Sequence, residues 1–309
     1  MNRRQKLFLM TLIASSSLVV SGLALAALID TSEEDQRLRV VVTFYPLAYL
    51  TEEIGGDRIF LKTLIPQNTE VHAWEPSTSD ILDVDQAAVV VYHGAGLDPW
   101  FEDEILPAIR TDDKLVVETT LGSDLIPAGN GYDPHTWLSP RMALPQAGRI
   151  NDAFCTADPL NASFFDDRYR SLKDRLESLD GEYVQLLSNK TKSAIFVGHS
   201  AYGYLAEAYG FEQHGIVGLS ADESPSTTTI ASLVELMVEY DIYYVFVDPL
   251  YRDDYAITLR DSLEEQSDRT VDVLPLYLLV GEVDGLDYID QMEENLHNLA
   301  VGLEVTGAS

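Results

Sequence analysis

Short runs of aliphatic and β-branched residues alternate with amphipathic stretches along nearly the whole chain, and that alternation limits the folds open to it. RVVVTF (39–44), RIFLKTLI (58–65), AAVVVYH (87–93) and KLVVETT (114–120) read as strands of the buried kind. Between them, PLAYLTEEIGG starts a helix with proline in its first turn, Ser77 or Ser79 caps a helix that runs through Gln86, and PWFEDEILPAI supplies a third. Strand and helix in regular succession call for a parallel sheet with helices on both faces. From Pro140 to about Asn189 the pattern is helical, and SFFDDRYRSLKDRLESLDGEYVQLL is long, charged and amphipathic. The alternation then resumes with SAIFVG (193–198), AYGYLAEAYG, FEQHGIVGL, STTTIASLVELMVEYD, IYYVFVD, a helix to about Glu265, VDVLPLYLL and a final helix. The expected fold is α/β, with two lobes (39–158 and 192–309), each a mainly parallel sheet flanked by helices, joined by one long rigid helix (159–191). The connector is not Gly/Ser-rich, which disfavours a large hinge motion.

Ahead of the lobes, NRRQK brings positive charge and Leu7 to Ile29 carries none. With Ala24-Leu25-Ala26 as a small-x-small cleavage signal, residues 1–29 fit a signal peptide, and the span is also long enough for an uncleaved membrane anchor. No cysteine follows the apolar run, so lipid attachment there is excluded, and Arg3-Arg4 is a weak match to a twin-arginine signal. Residues 30–38 form a polar linker. Both readings place the remainder outside the cytoplasmic face.

Charge narrows the partners. The chain has 51 acidic and 20 basic residues, a net charge of −31, and a field of that sign repels nucleic acid and anionic lipid while attracting cations. The bland explanation, a lysine-poor solubilising surface suited to high salt, accounts for the overall charge without any metal. The single cysteine, Cys155, rules out an intramolecular disulfide and is expected to be a buried, inert thiol.

Six histidines are present, and three follow strands in separate loops: His72 in NTEVHAWEPSTSD, His135 in GYDPHTWLSP and His199 in IFVGHSAYGY. Ligand-contacting residues of parallel α/β sheets gather beyond the carboxyl ends of strands. Three neutral imidazoles meeting there make a site for a borderline divalent ion such as Zn²⁺. Each ring needs a partner for its other nitrogen; Asp133 is placed to serve His135, and Glu70 or Glu75 to serve His72. His93, before a Gly-rich turn, reads as lining the cleft or standing behind the ligands, without ligating. His214 and His297 read as structural. A lone loop histidine is usually a solvated side chain, so the metal reading rests on all three together.

The runs TFYPLAYLTEEIGGDRIFLKTLIPQNTEVHAWEPSTSDI, YHGAGLDPWFE, DPHTWLSP and GHSAYGYLAEAYG, in that order, resemble the zinc/manganese solute-binding proteins of ABC transporters across roughly residues 39 to 304. The resemblance implies a rigid two-lobe protein with one metal in the interlobe cleft, delivered to a membrane permease, with no enzymatic activity and as a monomer. It makes His72, His135 and His199 the first three ligands; histidine at the third favours Zn²⁺ over Mn²⁺. The chain departs from the family at the fourth, usually Asp, where the alignment places Tyr277. Glu282 is the expected replacement, with Asp284 or water as the other routes. A His-rich insertion carried by many zinc-specific relatives is missing from DLIPAGNGYDPH, which weakens the choice of zinc over manganese.

Other constellations carry less. Asp248, Asp253 and Asp254 in VDPLYRDD lack EF-hand spacing and read as a solvated turn. Asn161-Ala-Ser and Asn189-Lys-Thr fit glycosylation sequons common by chance. Ser200 sits in no nucleophile elbow. A zinc hydrolase is the competing class, since three histidines with an open position also suit catalysis, but no H-E-x-x-H helix is present. A surface adhesin on the same scaffold stays open.

Overall fold

The structure is a computed structural model that describes residues 37–219, 225–250 and 254–306; the expectations for residues 1–36 lie outside it. Among the described residues no helix is long and apolar enough to cross a membrane.

The first lobe is built from β1 (Leu38–Val42), α1 (Tyr45–Gly55), β2 (Ile59–Thr63), α2 (Thr78–Gln86), β3 (Val89–Tyr92), a π turn (Phe101–Ile105) running into α3 (Leu106–Ala108), and β4 (Leu115–Glu118). Valines 40–42 and 89–91 are buried on both faces, as the unbroken apolar runs require. Pro46 opens α1, and Ser77 closes a capping box with Asp80 at the start of α2. A two-residue hairpin, β5 (Pro127–Ala128) and β6 (Gly131–Tyr132), then leads into α4 (Pro140–Ala157) and α5 (Ala162–Leu187). The helical stretch from Pro140 is thus two helices. Asp158, Pro159, Leu160 and Asn161 turn the chain between α4 and α5, where Pro159 has no amide to donate.

The second lobe follows as β7 (Ala194–His199), α6 (Gly203–Tyr209), β8 (Glu212–Val217), α7 (Thr227–Tyr240), β9 (Tyr244–Val247), α8 (Asp254–Ser267), β10 (Asp272–Pro275) and α9 (Tyr288–Gly302). The sheets run β2-β1-β3-β4 and β10-β9-β7-β8, all strands parallel. Numbered within its own lobe, each sheet has the same order, 2-1-3-4. The strand order reverses between first and third strands, the point where open α/β sheets leave a crevice for ligands.

The 26-residue α5 is about 39 Å long at 1.5 Å per residue and lies along both lobes. Its buried Phe165, Leu172, Leu176, Leu179, Tyr183 and Leu187 belong to one apolar core shared with the first sheet, β7 and α9. The Tyr183 hydroxyl donates to the Met292 carbonyl (2.6 Å), while Arg175 reaches both Glu53 and the Tyr49 hydroxyl (2.9 Å each). A continuous core resists the sliding that a hinge would require. A smaller core, centred on Phe196, Ile216, Met237 and Leu259, fills the outer part of the second lobe.

Cys155 is half-buried rather than buried; partial desolvation and neighbouring Asp166 push its thiol up to about 11, which disfavours the thiolate. Basic groups are largely occupied, as in Arg141–Asp180 (2.7 Å) and Lys192–Asp241 (3.0 Å), leaving most of the acidic excess unpaired. Added salt shortens the screening length from about 10 Å at 0.1 M to about 3 Å at 1 M. Thermal melting is therefore expected to shift upward by several degrees between those KCl concentrations, and a flat or falling melting temperature contradicts this reading.

Candidate metal centre

Three loops from both lobes bring their imidazoles to one point. His72 lies in the loop between β2 and α2, His135 follows the β5–β6 hairpin after β4, and His199 is the last residue of β7. One nitrogen from each ring falls within 4.8 Å of the other two, the only such group of three or more His, Cys, Asp or Glu among the described residues. The Nε2 of His135 stands 3.3 Å from that of His72 and 3.1 Å from that of His199. The second of these contacts cannot be a hydrogen bond. His135 Nδ1 is 2.8 Å from Asp133 Oδ1, and His199 Nδ1 is 3.0 Å from the Gly218 carbonyl. A carbonyl can only accept and the carboxylate accepts too, so each ring carries its proton on Nδ1 and presents a lone pair at Nε2.

Burial keeps the His135 and His199 rings uncharged. It lowers His199 to about 3, with help from neighbouring His135 and His72, and it holds His135 well below the ordinary range. Facing lone pairs at that distance repel unless a cation lies among them. Four-coordinate zinc with Zn–N bonds of 2.0–2.1 Å has N···N edges of about 3.3–3.4 Å, close to the observed spacings. The space among the side chains measures ≈ 10 Å³ and is lined by Glu70, Val71, the three histidines, Trp137, Leu278 and Val280. It has room for one ion-sized occupant.

Asp133 is placed as the sequence suggests. Its Oδ1 also accepts from the His135 amide (3.0 Å), and burial raises its carboxyl to about 6. A Cβ on Gly203 would stand 2.6 Å from Asp133 Oδ2, so the start of α6 needs glycine for close approach. Glu70 accepts from the His72 amide (3.1 Å), whereas Glu75 is exposed.

Among the described residues no carboxylate joins the three ring nitrogens. Glu282 is exposed and outside the imidazole group; its amide donates to Gln67 Oε1 (3.1 Å) and its carbonyl accepts from Asn68 Nδ2 (3.3 Å). Tyr45 and Glu52 are raised by burial first and by the Glu282 charge second. Asp284 is exposed as well, in a left-handed turn at φ 52°. Tyr277 has its amide and carbonyl pinned by Asn295 (2.7 and 2.9 Å), and its phenol is raised by burial and by Glu294, Asp284 and Asp248. The chain after β10 thus presents Leu278 and Val280 to the rings. Asp248 fixes that course. It is buried, not a solvated turn residue, and accepts from the Leu278 amide (2.5 Å), while Trp137 Nε1 donates to the Leu278 carbonyl (2.9 Å). Asp253 lies outside the described residues.

His93, which is not among the converging rings, is fully buried behind the His135 loop. Sequence reasoning also missed the Gly218 carbonyl, though the parallel pairing of β7 with β8, His199 opposite Val217, places it beside the ring.

Paired α/β lobes on one backbone helix, with three imidazoles converging between them, make up this site. The profile of the family "Zinc-uptake complex component A periplasmic" (ZnuA) matches residues 40–302, and the chain belongs to that family. It is 30% identical over 299 residues to the zinc-binding lipoprotein AdcA of Streptococcus pneumoniae, covering 90% of this chain but only 58% of AdcA. It is 27% identical to the high-affinity zinc uptake system protein ZnuA of Bacillus subtilis, covering 89% of this chain and 91% of that one. Among solved structures it is similar to the Zn(II)-bound ZnuA-like domain of S. pneumoniae AdcA, with a TM-score of 0.75, 29% identity, and 87% and 99% of the two chains covered.

Proposed function

We propose that the protein captures one Zn²⁺ ion outside the cytoplasm on the Nε2 atoms of His72, His135 and His199, and delivers it to an ABC-transporter permease. The observation that carries this reading is the approach of unprotonated Nε2 atoms to within 3.1 Å, an arrangement that only a cation makes favourable. Three imidazoles with no carboxylate in the group suit zinc better than manganese, which prefers oxygen donors. The relatives named above are zinc-uptake and zinc-binding proteins, in keeping with that choice. A hydrolase would need room for a substrate beside the metal, and ≈ 10 Å³ does not supply it. The protein is therefore read as a carrier and not an enzyme.

Titration calorimetry of metal-stripped protein is expected to give one Zn²⁺ per chain. In an equimolar mixture, Zn²⁺ should exclude Mn²⁺ by at least about 100-fold, following ligand softness. Equal retention of the two ions, or zinc binding at several weak sites only, would contradict the proposal.

A further inference from the structure

We infer that His93, which is no ligand, is a positioning residue that sets the His135 ring for metal through the backbone on either side of it. This rests on the zinc-binding reading and concerns the same site. His93 Nε2 stands 2.7 Å from the Pro134 carbonyl and 3.2 Å from Thr136 Oγ1, so one N–H faces both residues flanking His135. The carbonyl can only accept, which puts the His93 proton on Nε2. The contact is extended by Gln146, whose Nε2 donates to Thr136 Oγ1 (2.6 Å) from α4.

His93 is itself held from every side. Its amide donates to buried Asp98 (2.8 Å), and Asp98 also takes the Gly94 amide (2.9 Å). Its carbonyl accepts from the Thr120 amide (3.2 Å) and the Thr120 hydroxyl (2.9 Å). Its ring meets Phe44 and Trp137 edge-on, with centroids 5.3 and 5.2 Å away. The support is therefore itself tied by backbone and ring contacts. Its Nδ1 is buried without a hydrogen-bond partner, so the ring's polar contacts run through Nε2. Phenylalanine would fill the same space without that unpartnered nitrogen, but it could not hold Pro134.

The test compares His93→Phe, which keeps the ring packing and deletes the donor, with His93→Gln, whose amide nitrogen reaches about as far as Nε2. Zn²⁺ affinity is measured by chelator competition, and the visible spectrum of the Co²⁺-loaded protein reports ligand geometry. His93→Phe is expected to weaken Zn²⁺ binding by roughly 10- to 100-fold, the range for groups that orient metal ligands, and to alter the Co²⁺ bands. His93→Gln should recover most of the affinity and the parent spectrum. If His93→Phe does not fold, Thr136→Val takes its place, with a smaller loss and a changed spectrum expected. Parent affinity and spectrum in the donor-free variant overturn the inference, as does a loss that His93→Gln does not relieve. If the unsubstituted protein binds no zinc, the proposed function fails first, and the two failures are distinguished.

Discussion

His135→Ala is expected to lower Zn²⁺ affinity by more than about 100-fold, beyond the loss typical of removing a group that only orients a ligand. His135 should show the largest effect of the three, because its Nε2 is the one recorded close to both others and its ring is fully buried. Deleting it leaves two imidazoles from different lobes, and it strands Asp133, a buried carboxyl whose ring partner is gone. His72→Ala and His199→Ala are expected to weaken binding by at least tenfold, within or above the same order of magnitude. His297, exposed on α9, serves as the control, and its replacement should leave affinity unchanged. Comparable losses for all four in competition titrations would remove the basis for the assignment.

The second large effect is thermal. An ion that binds only the folded chain stabilises it by mass action, by about 4 kcal/mol when free ion is a thousand times the Kd. For a chain of this size, that raises Tm by roughly 8–16 °C, since each kcal/mol moves the midpoint by about 2–4 °C. The donors come from loops of both sheets, so unfolding either lobe destroys the site and the gain is felt by the whole molecule. The shift should be absent in His135→Ala. A Tm indifferent to saturating zinc after chelator treatment contradicts the account, as does an equal shift in that variant.

How much of this was legible in the sequence follows from how local the signals are. Strands such as AAVVVYH declare themselves, because a run buried on both faces needs only its own residues to be read. The division of the long helical stretch is also written locally, in Asp158-Pro159, where the connecting helix is expected to begin. The three histidines were legible through their common place after strands. The fourth position was not, since it depends on which way the chain faces after β10. Asp248, Trp137 and Asn295 decide that, and none of them is near residue 278 in the sequence. How deeply His93 is buried was not legible for a related reason, since Phe44 and Trp137, which enclose it, come from two other segments.

X-ray absorption at the zinc edge, on protein loaded with one equivalent, looks straight at the shared focus of the three rings. A shell of three imidazole nitrogens at about 2.0–2.1 Å, with the outer-ring scattering of histidine, is the predicted spectrum. A shell of oxygens alone, or at most one imidazole per zinc, would mean that His72, His135 and His199 meet for some other reason.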